Sequence, residues 1–422
     1  MFTIKKLPSG LRIITVPRRN TGVFTLLVLV GTGSRHETKK NNGISHFLEH
    51  MFFKGTKHRP QPNEVTRELD GIGAQYNAFT SKEATGYWVK AAKAHFALVL
   101  DVVSDILSES LLQKEEIEKE KGVIIQELRM RDEDDPVSRA GTLFETLLWG
   151  NQPAGWPIIG TKENILGFTR YQFVDYFTTQ YSAHNTLVVV GGAFAQDAAK
   201  DIARAFGHIS RRTFHKATTA RERQKAPAVR VDVKNIEATN LILGARAFSM
   251  YSPKRFALEV LAIILGGNMS SRLWSEIREK RGLAYYIRAQ NTFYRDSGYF
   301  AVSAGVGHDK AYEAVSIIVS ELRRVKENGI SSRELTMAKD YIRGHMRIEF
   351  EDSSALTSFI GEQALFEKSV MSPDAYFHKM DRVTQQDVAR VARKIFLPSR
   401  ANLVTVGASH DAAALRQTLE KI

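Results

Sequence analysis

The chain of 422 residues contains no cysteine. It can therefore form no disulfide bond and no thiolate metal site, and any metal ion must be held by histidine and carboxylate side chains. Metal sites of that composition are typically catalytic, whereas structural zinc sites are typically rich in cysteine. The lack of cysteine also fits the reducing cytoplasm, where we expect the protein to lie.

A long hydrophobic run is also missing. Apolar residues make up 43% of the chain, yet no segment reaches the roughly 18 consecutive apolar residues that a membrane-spanning helix needs. The first six residues lack the apolar stretch of a secretory signal and lead directly into a predicted strand. We therefore expect no membrane association. A chain of this length exceeds one ordinary core, so two or more domains are expected.

Acidic residues are outnumbered by basic ones, with 46 Asp and Glu against 59 Lys and Arg and a net charge of +13. Nucleic acid is the obvious partner for a basic protein. The basic residues are spread along the chain, however, with one modest cluster from Arg211 to Arg223, and no nucleic-acid-binding module is recognisable. The charge therefore predicts a solvated basic surface, or a basic wall that attracts acidic peptides, and no nucleic-acid partner.

The same order of predicted elements occurs in both halves of the chain. The first half has predicted strands at 11–16, 24–30, 74–79 and 86–91, with predicted helices at 65–69 and 95–107. The second half has predicted strands at 241–247, 284–289 and 298–305, with predicted helices at 256–265 and 310–325. Gly86-Tyr87-Trp88-Val89 corresponds to Gly298-Tyr299-Phe300-Ala301, which indicates a duplication.

This repeated pattern predicts the fold class. Short strands that come in runs between helix pairs are typical of α+β domains, here two homologous ones, each a mainly antiparallel sheet with helices packed on one face. We predict an N-terminal domain at 1–210, a linker at 211–228 and a homologous C-terminal domain at 229–422. The predicted linker is rich in Arg, Lys, Thr and Ala and has no apolar period.

His46-Phe47-Leu48-Glu49-His50 is the most informative stretch of the chain. The apolar residues around it form one broad face and predict a helix. Because His46 and His50 are four residues apart, their rings share a face and two ring nitrogens can meet at one zinc ion. Glu49 lies about 100° around the helix from His50, so it can reach a water at the metal without being a ligand. This is the inverzincin pattern, and its alternative is a pair of surface histidines beside a solvated glutamate.

The second half carries no histidine in the corresponding helix, at 256–267, so we expect a metal site in the N-terminal domain alone. A catalytic zinc ion usually takes three protein ligands. The third is expected on the predicted helix 114–130, which has glutamates at 115, 116, 118, 120 and 127. Most of these belong by default to a solvated face. Glu120 and Glu127 share a face about 10 Å apart, so one ion cannot easily bind both, and the spacing does not choose between them.

Three stretches resemble the pitrilysin-type inverzincin metallopeptidases, in the branch of mitochondrial processing peptidase and its bacterial relatives. They are residues 42–56 around the histidine pair, Asn77-Ala78-Phe79-Thr80-Ser81-Lys82-Glu83 and, more loosely, residues 30–37. The resemblance runs through nearly the whole chain. It implies an endopeptidase with one zinc ion per chain, which cleaves peptides or unfolded protein segments in a closed chamber.

The resemblance also implies roles for individual residues. It makes Glu127 the third zinc ligand beside His46 and His50, Glu120 an outer residue that orients the site, and Glu49 the general base.

In the second half, the resemblance implies that Arg278 and Tyr285 reach the substrate carbonyl. A surface salt bridge and a strand aromatic are the structural alternatives for these two side chains. The four residues Asn77, Ala78, Phe79 and Thr80 look like an edge strand to which an extended peptide adds, with ordinary sheet as the alternative.

The resemblance further implies an assembly. Pairs of chains in the family form a four-domain clamshell, of which this chain would be one half. A homodimer with two sites is the simplest assembly, and a heterodimer with a degenerate homologue is the alternative. Two other functions stay open: a non-catalytic scaffold or partner subunit, against which the intact site residues argue, and a basic nucleic-acid-binding protein.

Overall fold

The protein is described by a computed structural model that covers residues 2–207, 209–210, 212, 214–367 and 369–422. Met1, at the start of the predicted N-terminal domain, and Arg211 and Thr213 of the predicted linker lie outside the described residues. The chain forms two compact units. The first unit contains Met1–Leu128, Trp156–Thr218 and Arg347–Ser372, and the second contains Arg129–Gly155, Thr219–Met346 and Pro373–Ile422.

Strands and helices come in runs along both units. The strands are β1 (Thr3–Lys6), β2 (Arg12–Pro17), β3 (Val23–Val30), β4 (Gln75–Thr80), β5 (Thr85–Ala92), β6 (Thr186–Gly192), β7 (Ala228–Val233), β8 (Thr239–Arg246), β9 (Ala284–Phe293), β10 (Gly298–Val306) and β11 (Ala401–Gly407). The α-helices are α1 (Ile44–Met51), α2 (Glu64–Gly71), α3 (Phe96–Ser108), α4 (Lys114–Arg129), α5 (Pro136–Trp149), α6 (Lys162–Gly167), α7 (Arg170–Gln180), α8 (Ala198–Ala205), α9 (Arg255–Ala262), α10 (Ala311–Asn328), α11 (Ser332–Glu349), α12 (Ser353–Phe366), α13 (Pro373–Asp381), α14 (Gln385–Ile395) and α15 (Ala412–Leu419).

The two sheets repeat one strand order. The sheet of the first unit runs β1-β2-β6-β3-β5-β4, and that of the second runs β7-β11-β8-β10-β9. Apart from the additional β1, the strands of the two sheets pair in the same way. The first sheet has one parallel pair, β2 with β6, and the second has one parallel pair, β7 with β11. The other pairs are antiparallel. The predicted duplication and the α+β class are therefore confirmed, and β5 corresponds to β10 as the Gly-Tyr motif predicts.

The core of the first unit lies mainly on one face of its sheet. Phe24, Leu26 and Val28 of β3 point to that face and join a cluster with α1, α3 and α7. Each such side chain stabilises the fold by roughly 1.5–3 kcal/mol when fully buried. Leu27 and Leu29 alternate to the opposite face, as the period of a strand requires. From the sequence we expected helices on one face of each sheet and so predicted no cover for this second face.

Helix α12 covers this second face of the sheet, although the helix lies more than 300 residues along the chain from β3. Ile360 and Ala364 pack against Leu27 and Leu29. The approach is so close that a Cβ on Gly191 of β6 would lie 2.0 Å from the Thr357 hydroxyl of α12. Burial of these apolar groups is the physical reason that 347–372 belong to the first unit.

Helix α5 has the matching position in the second unit. Leu143 and Phe144 pack in one cluster with Val404 and Val406 of β11. The compact units therefore differ from the predicted linear division at 211–228, because 129–155 and 347–372 are exchanged between the halves. Within the described part of 211–227 the chain forms no helix or strand, and β7 begins at Ala228.

No helix among the described residues is both long and apolar enough to cross a bilayer.

Candidate metal centre

Helix α1 carries the histidine motif and is anchored at its first turn. Its side chains Phe47 and Leu48 are fully buried. The Glu37 carboxylate accepts hydrogen bonds from the backbone N–H groups of Gly43 and Ser45, both at 2.8 Å, and from the Asn42 amide at 2.9 Å. A carboxylate is favourable there because the helix N-terminus carries partial positive charge. Burial raises the pKa of Glu37 to about 6, although these hydrogen bonds oppose the rise.

Three predicted ligands meet at one point of the first unit. His46 Nε2 lies 3.5 Å from Glu127 Oε1, and His50 Nε2 lies 3.5 Å from Glu127 Oε2. One ligand atom from each of the three side chains lies within 4.8 Å of the others. His46 is buried, whereas His50 and Glu127 are half-buried. The group is therefore enclosed by protein and still open to a small molecule.

The three side chains fit a zinc ion. Two ligands about 2.1 Å from a tetrahedral ion are about 3.4 Å apart, which matches both nitrogen–oxygen distances. Two imidazoles and one carboxylate are also a common ligand set of catalytic zinc, and they leave a position open.

Glu120 lies behind the three donors rather than among them. Its Oε1 is 2.9 Å from His50 Nδ1, and its Oε2 is 2.7 Å from Lys54 Nζ. Burial alone would raise the pKa of Glu120, but the hydrogen bonds from His50 and Lys54 outweigh it and lower the pKa. Glu120 is thus an ionised acceptor that fixes the His50 ring with Nε2 toward Glu127.

Glu49 lies on α1 beside His50 but is not part of the three-ligand group. The Thr80 hydroxyl donates to Glu49 Oε2 at 2.6 Å. Nearby, the buried Tyr87 and Tyr181 hydroxyls are 3.0 Å apart. Burial raises the pKa of both phenols far above its usual range and the Glu49 charge adds to the effect, so both stay protonated.

Strand β4 forms one edge of its sheet, so the predicted edge position of Asn77 to Thr80 is confirmed. Residues at alternate positions of β4 face opposite ways. Gln75, Asn77 and Phe79 are exposed, whereas Ala78 and Thr80 are half-buried. Peptide binding at this edge stays a prediction.

Arg278 and Tyr285 belong to the second unit. The Tyr285 side chain is 73% exposed near the start of β9. The Arg278 guanidinium lies over the Trp274 ring, 4.5 Å from its centroid. Within the described residues it makes no salt bridge, so a stacking contact replaces the surface ion pair considered as an alternative. The predicted roles of both residues toward a substrate stay predictions.

Two residues that shape the site, Glu37 and Lys54, were not predicted from the sequence. Lys54 follows His50 by four positions but lies three residues beyond the end of α1 at Met51, so helical spacing did not connect it with His50. Glu37 gave no local signal, because its three donors lie five to eight residues away across an irregular loop.

Comparisons with known proteins agree with this geometry. Residues 12–162 match the profile of "Insulinase (Peptidase family M16)", and residues 167–342 match "Peptidase M16 inactive domain". The uncharacterized zinc protease YmxG of Bacillus subtilis is 33% identical over 388 residues, which is 92% of this chain and 94% of the relative. An uncharacterized zinc protease of Streptomyces coelicolor is 33% identical over 417 residues, 97% of this chain and 90% of the relative.

Solved structures show the same fold. A protease from Helicobacter pylori superposes with a TM-score of 0.91 and 25% identity, over 96% of this chain and 99% of that one. A peptidase M16 inactive domain from Pseudomonas fluorescens gives a TM-score of 0.89 at 18% identity, over 97% of this chain and 98% of that one, a likeness of fold alone. With both halves matched and relatives similar over nearly the whole length, the chain belongs to the insulinase family of peptidases, peptidase family M16.

Proposed function

We propose that this protein is a zinc-dependent endopeptidase of the inverzincin type, which cleaves peptides or unfolded protein segments. The observation that carries the proposal is the convergence of His46, His50 and Glu127 with Glu49 beside them. The zinc protease relatives support the same chemistry. One ion per chain is proposed, because the described residues contain a single such group.

Each of the proposed site residues on α1 and α4 has one task in the proposed reaction. A bound zinc ion would polarise the scissile carbonyl and lower the pKa of the attacking water. His46, His50 and Glu127 hold the ion, and Glu120 holds the His50 ring in one tautomer. Glu49 takes the proton from the attacking water and passes it to the leaving amine.

Strand β4 is proposed to hold the substrate. Its outer edge has no strand partner among the described residues, so an extended peptide can add to it by backbone hydrogen bonds. Asn77, Ala78, Phe79 and Thr80 would then run beside the substrate backbone. Addition of a strand explains how unfolded segments of varied sequence could be accepted, because the backbone groups are the same in all of them.

Arg278 and Tyr285 are proposed as donors to the substrate carbonyl as it gains negative charge. The Tyr285 hydroxyl makes no hydrogen bond within the described residues, and its high exposure leaves it available. These donors would come from the second unit of the same chain or of a partner chain.

Assembly and location belong to the same proposal. A homodimer with two sites in a closed chamber is the simplest arrangement, with a heterodimer as the alternative, and sedimentation of the purified chain distinguishes a dimer from a monomer. A cytoplasmic location, proposed from the sequence, is tested by cell fractionation.

Glu49→Gln tests the proposed function directly. The variant should keep its zinc and lose cleavage of a mixed peptide library, since Gln cannot accept the proton of the attacking water. Metal content and product masses are measured on the wild type, on the variant and on the exposed control Glu163→Gln, which should match the wild type. Near-normal turnover in Glu49→Gln would refute the proposed base, and a zinc-loaded wild type that cleaves nothing would favour the scaffold alternative.

A second prediction separates the two glutamates of α4. Glu127→Gln removes a charged metal ligand and should weaken zinc binding far more than Glu120→Gln. Loss of a residue that only orients a ligand typically costs about 10–100-fold in affinity or activity. Zinc titration against a competing chelator gives both dissociation constants, and the reverse order would mean that the ligand is Glu120.

A third prediction concerns the second unit. Tyr285→Phe should reduce kcat by about 100–1,000-fold, the usual loss for one oxyanion donor, with zinc content and folding unchanged. The matched control is Tyr171→Phe, an exposed tyrosine of the first unit. An unchanged kcat in Tyr285→Phe would show that this half contributes structure alone.

A further inference from the structure

The contact between Thr80 and Glu49 joins the proposed substrate strand β4 to the helix α1 that carries the proposed base. Thr80 is the last residue of β4, and Glu49 lies 31 positions earlier on α1. The Thr80 hydroxyl donates to Glu49 Oε2 at 2.6 Å, and its distance to the Ser45 carbonyl oxygen is longer, at 3.5 Å. A hydroxyl has one proton to donate, so the short contact to the carboxylate is the principal one.

The hydrogen bond constrains one oxygen of the carboxylate and leaves the other available. Among the described residues, Glu49 Oε1 has no hydrogen-bond partner, whereas Oε2 is held. A carboxylate fixed through one oxygen presents the other in a defined direction. A general base must lie within hydrogen-bond reach of the proton that it takes, so this orientation bears directly on the reaction.

Thr80 is itself rigidly placed. It pairs with Thr85 of β5 in the sheet register, and the turn that follows is closed by a hydrogen bond of 2.8 Å from the Ser81 N–H to the Ala84 carbonyl. Its side chain lies on the half-buried side of β4, opposite to the exposed Asn77 and Phe79. The side chain is therefore partly shielded from solvent, and the backbone of Thr80 lies along the free edge of the sheet.

From this geometry we infer that Thr80 is a positioning residue, whose hydroxyl orients the general base Glu49 relative to the strand that receives the substrate. The inference rests on the proposed function and adds a role for the Thr80 side chain to the proposed role of its backbone in holding the substrate. Because the base and the substrate edge are joined through one residue, a peptide that adds to β4 arrives in fixed register with the carboxylate. Misplacement of a catalytic group by about 1 Å can cost about 100-fold in rate.

Thr80→Val and Thr80→Ser test the inference as a pair. Valine keeps the shape and the methyl group but lacks the hydroxyl, whereas serine keeps the hydroxyl. On a peptide cleaved by the wild type, Thr80→Val should lower kcat about 10- to 100-fold, with KM within about threefold and zinc content unchanged. Thr80→Ser should restore kcat to within about threefold of the wild type. Thr66→Val, a threonine on α2 whose hydroxyl bonds only a local carbonyl, is the matched control.

Several results would overturn the inference. A normal kcat with a raised KM in Thr80→Val would mean that Thr80 contacts substrate only. Equal losses in the valine and serine variants, or loss of zinc from either, would mean that the side chain acts by packing.

Failure of the proposed function gives a different result, since a zinc-loaded wild type would then cleave nothing. In that case crystal structures of the wild type and of Thr80→Val decide the matter. A Glu49 carboxylate that keeps its orientation without the hydroxyl would refute the positioning role, and one that turns away would support it.

Discussion

The site depends on the approach of the Glu127 carboxylate to the two imidazole nitrogens of α1, each at 3.5 Å. Glu49, Glu120 and Glu127 bring three carboxylates to this region, and the Lys54 ammonium group contacts Glu120. The mutual repulsion of carboxylates in a partly buried place is unfavourable by itself. A divalent cation bound to His46, His50 and Glu127 would offset it, so binding of the ion would also stabilise the fold around it.

The rest of the first unit holds these donors in place. Glu37 fixes the start of α1 through three hydrogen bonds, and Glu120 fixes the His50 ring from α4. The sheet beneath is closed on its second face by α12, which arrives from the C-terminal half of the chain. A duplication alone would give two independent domains, but the exchange of α5 and α12 makes each unit depend on sequence from both halves.

Local patterns in the sequence predicted individual helices and strands, but not the contacts between residues far apart in the chain. The apolar residues around His46 and His50 predicted a helix, and their four-residue spacing placed both rings on one face. The strands predicted at 74–79 and 86–91 correspond to β4 and β5. Spacing left Glu120 and Glu127 equivalent, because the choice depends on how α4 packs against α1, and only the resemblance to a family favoured Glu127. The hydrogen bond from His50 to Glu120 joins residues 70 positions apart, and no periodicity reports such a contact. Helix α12 was missed for a related reason, since its apolar residues occupy several sides of the helix and predict no particular partner.

Anomalous diffraction from crystals of the zinc-loaded protein, recorded above and below the zinc absorption edge, tests whether His46, His50 and Glu127 bind the ion. One zinc peak per chain is expected, about 2.0–2.2 Å from His46 Nε2, His50 Nε2 and a Glu127 oxygen. Glu49 and Glu120 should lie outside the bonded atoms. A zinc ion bound by Glu120 or Glu49 in place of Glu127 would contradict this ligand assignment. So would zinc-loaded crystals with no zinc peak between His46, His50 and Glu127.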